Sequence, residues 1–190
     1  GDNAVIAMKN GIDPSLISRL DDLGIKPADF SKCGIVSKEV AEATAEAVQK
    51  FIPKLKARSI VTKTAEEINE WWRVVRKYTN PPYTPSSIVL ELELEKSTKF
   101  VRLYDGVNSR MRGQWFMNAK DVAGLTSKQL RDKFALPYEP KYIVDLQLPA
   151  GSKIRAGEAN SNFGFTGKGT QFEMMGQEIG EWVNPRLLPE

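Results

Sequence analysis

The order of hydrophobic and polar residues predicts helices in the first third of the chain. Residues 13–24 carry apolar side chains at helical spacing between an Asp-Pro start and a glycine stop, which predicts a short helix. Residues 37–58 begin with acidic turns and end with basic ones, as the helix dipole favours, and Pro53 is expected to bend or end this helix. We therefore predict a helical N-terminal region over residues 1–63.

A second domain is predicted over residues 64–190, because the pattern changes at Thr64. Thr64 and Glu67 form a capping pair that starts a helix with two tryptophans on its apolar face. In residues 88–95 leucines alternate with glutamates, which predicts a strand with one buried and one solvated face. Further elements are predicted as strands at 99–104, 114–117, 142–148 and 153–155, and as a helix that has a Thr126–Gln129 capping box and ends near Phe134. The predicted class is α+β, a mostly antiparallel twisted sheet with short helices that follows the helical region.

Two features of the predicted sheet indicate chemistry. Arg102 lies between two apolar residues on a predicted strand, so its side chain is either paired at a sheet edge or held for an anion such as a diphosphate. Residues 157–170 form a glycine-rich loop that delivers Gln171 onto a final strand. The amides of this loop would suit the same phosphates, although no helix follows its Gly-x-Gly, as a nucleotide-binding fingerprint requires.

The inventory of side chains excludes several kinds of site. The chain has no histidine and one cysteine, Cys33. Ser-His-Asp triads, histidine-based ribonucleases, His-ligated zinc sites and intramolecular disulfides are therefore excluded, and we predict no metal site. Carboxylates, lysine, tyrosine, arginine and amides remain for any catalysis.

Charge and hydropathy argue against nucleic-acid and membrane partners. The net charge is +3, but residues 64–190 hold 17 basic and 16 acidic residues, too even a balance for a phosphate-binding face. No apolar run reaches the length of a membrane span. Because the chain opens with Gly1 and runs at once into ordinary domain sequence, we expect a fragment of a longer polypeptide.

Three stretches resemble a known family, and the resemblance covers most of residues 88–175. They are FVRLYDG at 100–106 followed by GQWF at 113–116, FALP at 134–137 followed by YIV at 142–144, and the glycine loop from 157 that ends in GKGTQF at 167–172. They resemble the tuberculosis necrotizing toxin family of NAD glycohydrolases. The resemblance implies a fold related to ADP-ribosyltransferases and hydrolysis of NAD or NADP to nicotinamide and ADP-ribose, with the coenzyme as substrate and no cofactor.

The same resemblance implies the residues of the site. Arg102 and Gln171 would be catalytic, with Arg102 on the diphosphate and Gln171 on the ribose or the attacking water. Trp115 would stack on the nicotinamide, and Phe116 is the alternative for that position. Further substrate contacts are expected from Tyr104, Gly113, Arg112, Phe163, Gly169 and Glu173.

The resemblance also implies a biological setting. Such domains end large secreted or cell-surface proteins of contact-dependent inhibition, act in the cytoplasm of a target bacterium, and are blocked by a cognate immunity protein. The basic residues Arg110, Arg112 and Lys168 would suit an acidic inhibitor. Residues 1–63 would then be either a packing subdomain or a segment that assists delivery.

Three other functions stay open at this point. Gln171-Phe-Glu173 matches the Gln-x-Glu signature of ADP-ribosyltransferases that modify arginine, and Arg102 would match the arginine on the first strand of those enzymes. Because side chains alternate along a strand, Gln171 and Glu173 would lie on the same face and could reach one pocket. A tRNA-cleaving toxin has a similar modular design. A binding or adhesion module would need no pocket, and the glycine loop would then be only a turn.

Overall fold

The computed structural model describes residues 38–52 and 57–189. Helix α1 spans Lys38–Phe51, so it ends before Pro53, as the sequence predicts. The helix expected over residues 13–24 lies outside the described residues. Residues 57–63, expected to belong to the helical N-terminal region, instead form strand β1, Ala57–Thr64, which pairs with β2.

The other elements come close to the predicted ones. They are α2 Ala65–Val75, β2 Ile88–Leu94, β3 Thr98–Tyr104, β4 Trp115–Phe116, α3 Ala119–Val122, α4 Ser127–Phe134, β5 Tyr142–Leu148, β6 Lys153–Glu158, β7 Thr170–Glu173 and β8 Glu181–Leu187. The α+β class with short helices is confirmed. Helix α3 and strand β8 have no counterpart in the prediction. β8 lies at a sheet edge and is mostly exposed, so it lacks an alternating pattern.

Within residues 38–52 and 57–189 the strands form two sheets, and all strand pairs in these sheets are antiparallel. One sheet has the order β1-β2-β6-β7-β4 and the other the order β3-β5-β8. A bridge between Val101 and Met117 joins β3 to the residue after β4, so the two sheets meet there. The boundary predicted between residues 63 and 64 falls inside β1, which pairs with β2 over most of its length.

The main core lies between the two sheets and α1. The alternation in β2 places Leu90, Leu92 and Leu94 there, as predicted, and Phe100, Leu146 and Phe172 join them from three other strands. Residues of α1 complete the cluster, so α1 belongs to the same packed unit as the sheets: Ala45, Val48 and Phe51. Burial of this apolar surface is the main stabilising contribution to the fold.

The outer faces of the sheets are covered by the remaining helices. Helix α2 places Ile68 and Trp72 against the five-stranded sheet. Helix α4 places Leu130 and Phe134 against the three-stranded one, and its Thr126–Gln129 capping box is present in full. No helix within residues 38–52 and 57–189 has the length and apolar content for a membrane span.

Candidate active site

A cleft of about 480 Å³ opens where β3, β4 and β7 come together. Its volume lies in the range of pockets that hold small organic ligands. Three stretches that are distant in sequence supply its polar and aromatic lining: Arg102, Tyr104, Trp115, Phe163 and Gln171. Tyr78, Asn108 and Tyr138 line it as well, although the sequence did not indicate them.

Arg102 enters the cleft from β3 as a buried cation, 8% exposed. Its Nε donates to the carbonyls of Arg110 and Met111 at 3.2 Å, Nη2 donates to Arg110 at 3.1 Å, and Nη1 donates to Trp115 at 2.9 Å. No carboxylate pairs with Arg102 among the described residues. The guanidinium has about five N–H groups, and these bonds to described carbonyls occupy three of them. Burial lowers the pKa of Arg102 to about 10, so the group stays charged at neutral pH.

The backbone at Gly113 holds this guanidinium in place. A Cβ at position 113 would lie 2.3 Å from Cζ of Arg102, far inside van der Waals contact, so the chain passes directly over the group. Gly113 therefore acts on Arg102 and does not itself line the cleft. Arg102 thus lines the cleft as a fixed cation without a carboxylate partner among the described residues, an arrangement that suits the binding of an anion.

The indole of Trp115 gives the cleft a flat aromatic wall. Its ring centroid lies 5.0 Å from that of Trp72 and 5.8 Å from that of Tyr83, both of which are buried below it. Its Nε1 donates to the Tyr78 hydroxyl at 3.1 Å. The ring is thus supported from beneath and at its edge, and it is rigid enough to stack on a planar ligand.

Gln171 presents one defined atom to the cleft. The side chain is 6% exposed, and its Nε2 donates to the carbonyl of Pro82 at 2.8 Å. That bond fixes the orientation of the amide and leaves Oε1 as an acceptor to which no described residue donates. An acceptor held in this way suits a hydroxyl group or a water molecule.

Residues 105–112 form a turn beside Arg102, and Asp105, Asn108 and Ser109 of this turn line the cleft. Asp105 organises the turn, because its Oδ1 accepts from the amides of Val107, Asn108 and Ser109 at 3.1, 2.9 and 2.7 Å. Burial alone would raise the pKa of Asp105, but these bonds lower it below its usual range. The turn thus stays folded around a charged carboxylate.

The glycine loop is tied to the end of helix α4. The amides of Gly167 and Gly169 donate to the carbonyls of Asp132 and Lys133 at 2.8 and 3.0 Å. These two donors are therefore used inside the fold and are not free for phosphates. Gly169 is buried and does not line the cleft, whereas Phe163, with φ of 59°, is exposed at the cleft mouth.

Phe116 and Arg112 lie away from the cleft, contrary to expectation. Successive residues of a strand point to opposite faces, so when Trp115 faces the cleft Phe116 enters the core. There its ring lies 4.9 Å from Phe100 and 5.6 Å from Phe172 between centroids. Arg112 is exposed and does not line the cleft.

Glu173 shares a strand with Gln171 but is fully buried and does not line the cleft. Its Oε1 accepts from Arg155 at 2.6 Å, and its Oε2 accepts from the Trp72 indole at 2.8 Å and from the Tyr83 hydroxyl at 2.7 Å. Burial raises the pKa of Glu173 above its usual range, while the charge of Arg155 acts in the opposite direction. Arg155 also reaches Glu91 at 3.0 Å, so that glutamate is not simply solvated, as the alternation of β2 suggested.

Phe116→Leu tests the assignment of this ring to the core. We expect the free energy of unfolding to fall by about 1.5 kcal/mol, because an apolar side chain of somewhat different shape replaces a packed ring. Urea unfolding measures this loss. Ligand binding to the cleft should not change in the folded variant, and a loss of binding at unchanged stability would instead place Phe116 in the site.

No family model matches the chain, and no curated protein matches it. Among solved structures it is similar to Tne2 in complex with Tni2, at 15% sequence identity and a TM-score of 0.45, over 53% of this chain and 92% of that chain. It is also similar to Rhs1-CT in complex with its cognate immunity protein RhsI1, at 17% identity and a TM-score of 0.47, over 66% of this chain and 96% of that chain. At these values neither likeness assigns an activity to this chain.

Proposed function

We propose that this chain hydrolyses NAD, and NADP as a second substrate, at the bond between nicotinamide and ribose. The observation that carries the proposal is that a buried arginine without a carboxylate partner among the described residues, a supported indole and an oriented carboxamide line one cleft: Arg102, Trp115 and Gln171. Each of these matches one part of a dinucleotide, namely diphosphate, nicotinamide ring and ribose.

The chemistry suits the side chains that the chain has. When the glycosidic bond breaks, nicotinamide leaves with the bonding electron pair as a neutral ring, so no acid is needed to protonate it. A water oxygen then bonds to C1′ of the oxocarbenium-like ribose, and the proton that this water loses goes to solvent. A chain without histidine is equipped for such a reaction, in which positioning and electrostatics supply the catalysis.

The three side chains would divide the work. Trp115 stacks on the nicotinamide, and Arg102 directs its remaining N–H groups at the diphosphate. Oε1 of Gln171 accepts a hydrogen bond from the attacking water or from a ribose hydroxyl and thereby orients it. Burial of Gln171 strengthens this hydrogen bond, because few water molecules compete for the acceptor.

Burial of Glu173 favours hydrolysis over ADP-ribosyl transfer. In the transferase alternative the glutamate of the Gln-x-Glu signature, Glu173, must reach the oxocarbenium ion or the acceptor in the same cleft. The Glu173 carboxylate is 0% exposed, and hydrogen bonds from Arg155, Trp72 and Tyr83 use both of its oxygens. Water is therefore the acceptor that the cleft supports best.

The resemblance in sequence extends the proposal to a biological role. We propose that the chain is the effector part of a larger secreted or cell-surface protein, that it depletes the coenzyme in the cytoplasm of a target bacterium, and that a cognate immunity protein inhibits it. Arg110, Arg112 and Lys168 are exposed and would meet an acidic inhibitor. An excess of such an inhibitor should stop NAD cleavage by the purified chain.

Incubation of the full chain with NAD tests the activity. We expect nicotinamide and free ADP-ribose to accumulate in equal amounts, as chromatography of the mixture will measure. Nicotinamide release with ADP-ribose attached to protein in an added lysate would support the transferase instead. An intact coenzyme after prolonged incubation with folded protein would end the proposal.

Gly113→Ala tests the role of the backbone that holds Arg102. The new Cβ would overlap the guanidinium, so Arg102 must move and lose its alignment with the diphosphate. We expect KM for NAD to rise about tenfold, which corresponds to the loss of one charge-assisted hydrogen bond. Steady-state kinetics measure this change, and an unchanged KM would show that the position of Arg102 does not matter for substrate binding.

A further inference from the structure

A fully buried carboxylate lies directly beneath the cleft. Glu173 receives hydrogen bonds from the Trp72 indole, the Tyr83 hydroxyl and the Arg155 guanidinium, each between 2.6 and 2.8 Å. A buried charge is tolerated only when such partners are present. The carboxylate therefore holds Trp72 and Tyr83, whose rings come from α2 and from the segment after it, in fixed positions.

The rings of Trp72 and Tyr83 both contact Trp115, and Tyr83 is also next to the residue that orients Gln171. The centroids of Trp72 and Tyr83 lie 5.0 and 5.8 Å from that of Trp115, so they form the support on which the cleft indole rests. Tyr83 also follows Pro82, whose carbonyl accepts from Nε2 of Gln171. A shift of Tyr83 would therefore move both the stacking wall and the group that orients the catalytic amide.

The backbone of Tyr83 is held from the other side by α2. The Asn69 side chain accepts from the Tyr83 amide at 3.0 Å and donates to its carbonyl at 2.9 Å. The ring lies against Gly157, where a Cβ would come within 2.6 Å of it. Asn69 thus fixes the backbone of Tyr83 and Gly157 packs against one edge of its ring, while the bond to Glu173 fixes the hydroxyl end of the ring next to Trp115.

We propose that Glu173 is a positioning residue, which fixes Trp115 through Trp72 and Tyr83 and fixes Gln171 through the Pro82–Tyr83 segment. Its effect on catalysis rests on the proposed NAD hydrolysis, whereas its effect on the placement of the indoles does not. Glu173 itself does not touch the substrate. The Gln-x-Glu pattern of this chain thus joins one residue in the cleft to one that supports the cleft from below.

Two variants of different severity test the proposal. Tyr83→Phe removes a single hydroxyl. Glu173→Gln keeps the shape of the side chain but replaces the carboxylate that pairs with Arg155 by a neutral amide. We expect kcat for NAD to fall about tenfold in Tyr83→Phe and about 100-fold in Glu173→Gln, and to fall by more than KM rises, because a misplaced catalytic group lowers the rate of the chemical step. Tyr83→Phe keeps the test valid if Glu173→Gln does not fold.

Asp145→Asn is the matched control. Asp145 is also a buried carboxylate on a central strand and is paired with an arginine, Arg186, at 3.2 Å, but it does not line the cleft. We expect it to lower the melting temperature while kcat per folded molecule stays as in the unmodified chain. If Tyr83→Phe and Glu173→Gln behave in the same way as this control, their role is structural only and the proposal is overturned.

A second measurement does not depend on NAD. Trp115 is close enough to couple with Trp72 and Tyr83, and Trp115→Phe identifies the part of the circular-dichroism signal that depends on the Trp115 indole. We expect Tyr83→Phe and Glu173→Gln to weaken that part, and an unchanged signal in folded variants would refute the positioning role. Absence of nicotinamide release by the unmodified chain would refute the proposed function, while this signal would still decide the role of Glu173.

Discussion

Gln171→Ala is expected to lower kcat for NAD cleavage by about 10²- to 10³-fold while the protein stays folded. The magnitude is that of removing one oriented polar group from a site that works by electrostatic stabilisation. Among the described residues the side chain makes one hydrogen bond, to the Pro82 carbonyl, so its loss costs the fold about 1 kcal/mol. Single-turnover kinetics of nicotinamide release measure the effect on the chemical step directly.

Gln147→Ala provides the matched control for this variant. Gln147 lies on β5, is half-buried, and also makes one side-chain bond, from Nε2 to the Ser97 hydroxyl at 2.6 Å. Gln147 does not line the cleft. We expect its kcat to stay within about twofold of the unmodified chain. Full turnover by folded Gln171→Ala would remove the catalytic role assigned to this amide.

The elements with strong local signals could be predicted from the sequence. The alternation of leucine with glutamate in residues 88–95 determines both strand and buried face, because period two is specific to strands. The capping box at Thr126 and Gln129 begins α4 where it was expected. In each case neighbouring residues carry the information, so a single sequence is sufficient.

Elements that depend on distant partners could not be predicted. β1 follows a helical stretch and contains lysine and threonine, and its strand conformation is stabilised by pairing with β2. β8 is exposed along most of its length and is held at the sheet edge by β5. Intrinsic preference is a weak guide where tertiary pairing decides the conformation.

The candidate site was predictable in part for the same reason. The alternation of strand β7 places Gln171 and Glu173 on one face, yet only Gln171 lines the cleft. What separates them is the indole of Trp72 and the ring of Tyr83, which come from another part of the chain and cover the carboxylate. The acceptors of the Gly167 and Gly169 amides lie on α4, about 35 residues away, so the sequence did not show that these two donors are used inside the fold. Periodicity gives the direction of a side chain but not what covers it.

Arg102→Met is expected to lower kcat/KM for NAD about 100-fold and the free energy of unfolding by about 1 to 3 kcal/mol. The first effect follows from losing the cation that faces the diphosphate. The second follows because the carbonyls of Arg110, Met111 and Trp115 lose their donors. Kinetics and urea unfolding measure the two separately.

Arg102→Lys separates charge from anchoring, and Arg112→Ala is its control. Lysine keeps the charge but cannot reach three carbonyls with a planar group, so we expect stability to fall as in Arg102→Met while KM stays closer to that of the unmodified chain. Arg112 is exposed outside the cleft, and its removal should leave kcat/KM within about twofold of the value for the unmodified chain.

If Arg102 binds the diphosphate, KM of the unmodified chain rises with salt concentration, because salt screens the attraction between the two charges. KM of Arg102→Met should rise much less. Equal salt dependence in both would assign Arg102 to the fold alone and leave the diphosphate to another group.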